Sequence, residues 1–196
     1  MTTVKSLYFE AVRIFLGIIF FTAGMSKLMD FPGLIGPRWL EDALAPHGLG
    51  LFARFVAFSQ IMVGLLLLTR RFATLGAIML FPLLLCIMMV TISLDWRGTP
   101  YVNAFLLILN MSLFIKDYHK LKFIFTDDAE SLRSIKPVRR DMKFDFIWLV
   151  ALVIFFIGLL IIDYTPQHNL LLWTGGLTFF GLEIFRAFTK FRHQKK

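Results

Sequence analysis

Charge is scarce in this chain. Of its 196 residues, 17% are Asp, Glu, Lys or Arg, where an ordinary soluble domain carries about a quarter. Cysteine is nearly absent, and a single thiol, Cys86, excludes an internal disulfide and any C-x-x-C redox pair. No histidine lies well inside a long apolar run, so a membrane haem held by two imidazoles is not supported. His47 and His168, with Asp163 near the latter, lack metal-ligand spacing and read as surface groups. A phosphate-binding glycine loop and a nucleophile elbow are both missing. Short alternating segments are missing too, which excludes a membrane β-barrel.

What the chain has is apolar length. It is 58% hydrophobic, with 23 Phe and a mean hydropathy of +0.73. A small soluble domain has too little interior for so many aromatic rings, whereas lipid tails accept them. Crossing roughly 30 Å of hydrocarbon takes about twenty helical residues. Runs of that order occupy Leu7 to Leu28, Gly50 to Thr69, Phe72 to Leu94, Gly98 to Ile115, Phe144 to Ile162 and His168 to Phe188. The first run carries Glu10 and Arg13 and is followed by no small-residue cleavage site, so it is expected to remain as a membrane helix. Pro82 is expected to kink the third run. A short interfacial helix is expected from Pro37 to Leu44.

The expected fold class is therefore all-α: a polytopic membrane protein with a four-helix transmembrane bundle over residues 1–115, a basic cytoplasmic connection over 116–143, and two further transmembrane helices over 144–196. Of the 21 Lys and Arg, sixteen fall in the segments that six crossings place with the two termini. Lys27, Arg38, Arg54 and Arg97 fall on or near the opposite side, and Arg13 lies within the first run. The positive-inside rule then puts both termini in the cytoplasm, in a bacterial inner membrane. The net charge of +8 reads as topology and as attraction of the 116–143 segment to anionic lipids; nucleic acid is not an expected partner. Trp39, Trp96, Trp148 and Trp173 fall near span ends and read as interfacial anchors.

The first run holds the most informative pattern. At 100° per residue from Arg13, Gly17, Phe20, Gly24, Lys27 and Glu10 all lie within about 60° of it, so the charges and glycines share one face. An ionisable group near the bilayer centre costs roughly 2.5–3.5 kcal/mol, so this face turns toward protein or water. Gln60 and Gly64 in the second run, Ser93 and Asp95 at the end of the third, and Asn103 with Asn110 at i, i+7 in the fourth are its expected company. Two readings stand. Arg13, Lys27, Gln60, Asn103 and Asn110 line a polar ligand pocket inside the bundle, or the same groups serve packing and topology, with Glu10 and Arg13 as an ion pair and Lys27 snorkelling.

Arg13-x3-Gly17-x6-Gly24-x2-Lys27 resembles the opening signature of the DoxX family. Gln60-x3-Gly64, the following leucine run and the Arg70-Arg71-Phe72-Ala73 turn are similar to its second helix. The resemblance covers roughly residues 7 to 115 and implies a four-helix membrane bundle. It also implies kinship with a subunit of a thiosulfate:quinone oxidoreductase and with members of redox-stress complexes. Gln60 stands where the family commonly has a carboxylate, and Lys116-Asp117-Tyr118-His119 replaces its glycine-rich ending. The function this suggests is a small subunit of a quinone-linked redox complex, with quinone as the candidate cofactor and a membrane or redox protein as partner. A non-enzymatic scaffold or assembly factor, and a small-solute transporter, are the rival readings.

Overall fold

In the computed structural model, residues 3–28, 40–69, 72–125, 142–160 and Gly181 are described. The expected sixth span, His168 to Phe188, lies outside them apart from Gly181, as do Pro37, Arg38, Trp39 and Trp173. Every regular element among the described residues is helical: α1 (Thr3–Leu28), α2 (Leu40–Leu44) running into a 3-10 turn (Ala45–His47), α3 (Gly50–Leu68), α4 (Ala73–Ser93), α5 (Thr99–Phe125) and α6 (Met142–Leu160). Four helices are long and apolar enough to cross a membrane: Leu7–Leu28, Gly50–Leu68, Ala73–Ser93 and Thr99–Tyr118. These match the first four apolar runs within a few residues, because a run of that length can satisfy its backbone in lipid only as a helix. The apolar part of α6, Phe146–Leu159, is shorter.

The chain divides into two compact units, Met1–Leu132 and Arg133–Lys196. In the first, α1 packs most extensively on α3 and α4 on α5, while α3–α4 and α1–α5 contacts close the ring. The tight α1–α3 seam comes from glycine. A Cβ on Gly24 would stand 2.6 Å from the carbonyl oxygen of Ala57, and one on Gly64 would stand 2.5 Å from the backbone nitrogen of Phe21. Neither neighbour can retreat, so each helix offers a bare backbone where the other crosses. Leu16, Ile19, Phe20, Ala53, Val56, Leu67, Leu80, Leu84, Leu106 and Leu113 fill the centre.

α4 passes through Pro82 as one continuous helix. Pro82 has no N–H to donate to the Ile78 carbonyl, and one residue earlier in the same turn Asn110 Nδ2 of α5 donates to the Ala77 carbonyl at 3.0 Å. α5 continues to Phe125, ten residues beyond Ile115. In the second unit, Trp148, Ala151, Leu152, Phe155 and Leu159 form a buried stripe at helical spacing along α6. Trp148, expected as an interfacial anchor, is 1% exposed, with its ring buried in protein.

Candidate functional site

Two polar centres sit at opposite ends of the four-helix unit, because α1 carries Arg13 four turns away from Lys27 on the same buried face. At the Arg13 end, the guanidinium is 5% exposed. Its Nε and Nη2 donate to Glu10 Oε2 at 3.0 and 2.9 Å. Nη1 donates to the carbonyl of Leu67 and, at 3.3 Å, to that of Leu68. Those carbonyls belong to the last turn of α3, where no intrahelical N–H remains to satisfy them and the helix dipole is negative. Arg13 is thus a cap supplied to α3 by a neighbouring helix. Glu10 Oε1 accepts from Lys116 Nζ of α5 at 3.3 Å, and Thr74 Oγ1 of α4 donates to Asp117 Oδ2 at 2.8 Å. All four spans are tied together here.

At the other end, Lys27 Nζ donates to Ala23 O at 2.9 Å and to Gln60 Oε1 at 3.0 Å. Both residues line a cavity of about 50 Å³, as does Asn103. At roughly 10–15 Å³ per water centre, that is space for a handful of waters or one slender polar head. Most of its wall is apolar, supplied by residues such as Phe20, Val56, Ile87 and Leu106. Leu40 and Leu44 of α2 close one side. The turn after α2 holds them there: Leu49 N–H bonds to Leu44 O, Gly48 N–H bonds to Ala45 O, and Gly48 takes φ +72°, a Schellman closure that favours glycine.

The same closure ends α4. Trp96 N–H reaches Thr91 O and Asp95 N–H reaches Ile92 O, both at 3.0 Å, with Asp95 at φ +52°. The turn brings Trp96 to the cavity beside Thr91 and Thr99. Ser93 and Asp95, singled out from the sequence, are exposed and do not line it.

Of the five sequence candidates, Lys27, Gln60 and Asn103 therefore converge on the cavity, and Arg13 and Asn110 do not line it. Asn110 is fully buried, with its Nδ2 on Ala77 and its Oδ1 without a partner. Asn103 is 7% exposed, and its amide nitrogen has no hydrogen-bond partner among the described residues. Left unpaired, a buried amide costs about 1–3 kcal/mol. Sequence reasoning missed Thr91 and Trp96 at this end, and Lys116, Asp117 and Thr74 at the other. Asp95 was the available signal for the first pair, since Asp is among the few residues that tolerate the left-handed turn. Among the described residues no cluster of His, Cys, Asp or Glu is arranged to hold a metal ion.

Among the described residues every regular element is helical and four helices are long and apolar enough to cross a membrane, which defines a multi-pass integral membrane protein. Residues 9–93 match the DoxX family model, so the chain is DoxX-like over α1 to α4. Arg13, Lys27 and Gln60 fall in the matched segment; Asn103, Asn110, Lys116 and Asp117 fall beyond it. No curated protein and no solved structure matches the chain.

Proposed function

We propose that the cavity at the Lys27 end binds the oxygen-bearing head of a lipophilic molecule of the quinone class, and that the chain serves as a small membrane subunit for a redox partner. One observation carries this reading: Lys27 and the unpartnered Asn103 amide are N–H donors on an otherwise largely apolar wall. Apolar walls with a few placed polar groups are how small-molecule sites combine affinity with orientation. A quinone carbonyl is an acceptor on an apolar ring, and its tail is at home in lipid. Oxidation and reduction of the head fall to the partner, since the sequence offers no haem ligands, thiol pair or nucleotide loop.

In this reading both termini face the bacterial cytoplasm, and the Lys27 cavity lies toward the outer side, as the charge asymmetry favours. The basic 116–143 segment meets anionic lipid at the cytoplasmic face. Purification of the full chain in mild detergent, followed by lipid extraction and identification of co-purifying proteins, tests the proposal. Quinone at a stoichiometry that falls with Asn103→Leu is expected. A stoichiometric protein partner with no quinone would assign the chain to assembly or scaffolding instead.

A further inference from the structure

We infer that the cavity takes its ligand as an oxyanion, with Lys27 as the counterion. This rests on the reading of the cavity as a quinone-class site and adds the charge state of the bound head. Lys27 Nζ has two acceptors, Ala23 O and Gln60 Oε1, and both are neutral. Among the described residues no Asp or Glu lines the cavity, and no carboxylate pairs with Lys27. The other end of the bundle shows the contrast: there Glu10 answers both Arg13 and Lys116.

An ammonium on an apolar wall without a counterion is costly, and a ligand that supplies the missing negative charge removes that cost. Two N–H donors, the ammonium and the Asn103 amide, then face one acceptor. Charge-assisted hydrogen bonds are roughly twice as strong as neutral ones, so the site discriminates between two heads of the same shape that differ in charge. Gln60 is the residue that keeps the cation unneutralised. Its Oε1 orients the ammonium at 3.0 Å as a carboxylate would, without cancelling its charge.

The test uses the detergent-purified full chain and three probes. The first is an alkyl hydroxynaphthoquinone, whose acidic enol is ionised at neutral pH; the second is its neutral O-methyl ether; the third is an alkyl carboxylate of equal tail length. The ionised quinone is expected to bind on the order of tenfold more tightly than the ether. Lys27→Gln and Gln60→Glu should each erase that preference, the second by placing a carboxylate beside the ammonium, so the result does not depend on one variant folding. Equal binding of quinone and ether, or a preference that survives in the folded variants, would overturn the inference while leaving the quinone site standing. A carboxylate that binds as well as the ionised quinone, dependent on Lys27, would uphold the oxyanion site and overturn the quinone class. Binding of no probe would overturn both.

Discussion

At the Arg13 end of the bundle, the guanidinium bonds to Glu10 and to two terminal carbonyls of α3, and Glu10 in turn takes Lys116. At the Lys27 end, the ammonium bonds to two neutral oxygens beside a cavity, and the Asn103 amide nitrogen has no partner among the described residues. Both ends draw on one stripe of α1, and α5 adds Lys116 to the first and Asn103 to the second. A centre whose charges are paired holds helices together and has little left for a ligand. A centre with spare donors bears a standing energetic cost, and a ligand that accepts from them recovers it.

Substitutions can break or sharpen this contrast. The largest effect is expected from Arg13→Leu, which leaves Glu10 and the α3 carbonyls without their donor. About 3 kcal/mol of stability should be lost, at the lower end for a broken buried pair, as read by denaturant unfolding in detergent. Ligand affinity of the folded fraction should barely change. Lys27→Gln should do the reverse, lowering affinity for the ionised quinone about tenfold with little change in unfolding midpoint. Asn103→Leu should weaken binding severalfold yet stabilise the unliganded protein by about 1 kcal/mol, because it removes an unpaired buried amide; a loss of stability there would show that the amide serves packing. Lys116→Gln is the smallest. Its pair with Glu10 is about a quarter exposed on each side chain, and such pairs contribute about 1 kcal/mol or less.

The four spans were legible in the sequence because lipid imposes length and apolarity together, and the spanning parts of α1, α3, α4 and α5 begin and end within a few residues of those runs. The shared face of Arg13, Gly24 and Lys27 was legible from helical spacing. Depth along the axis was not. Asn103 and Asn110 are equivalent on a helical wheel, yet one lines the cavity and the other bonds Ala77 beside Pro82. The Glu10–Arg13 pair was legible from its i, i+3 spacing, but Arg13's other partners are backbone carbonyls, which have no signature in side-chain identity. Lys116 and Asp117 look like ordinary charges beyond a span end, and only the continuation of α5 past Ile115 brings them onto Glu10 and Thr74. Trp96 depends on a left-handed Asp95 that spacing does not encode, and Trp148 shows that tryptophan near a span end can be core.

The division of labour between the two ends is tested most directly by ligand-induced stabilisation, measured side by side on the native chain, Arg13→Lys and Lys27→Gln in one detergent. At about a hundred times its Kd, a ligand that binds only the folded state adds about 2.7 kcal/mol. The ionised alkyl quinone should add that amount to the native chain. It should add nearly as much to Arg13→Lys, despite that variant's lower starting stability, and only about 1.4 kcal/mol to Lys27→Gln at the same concentration, as a tenfold loss of affinity requires. A stabilisation lost in Arg13→Lys and kept in Lys27→Gln would contradict the account.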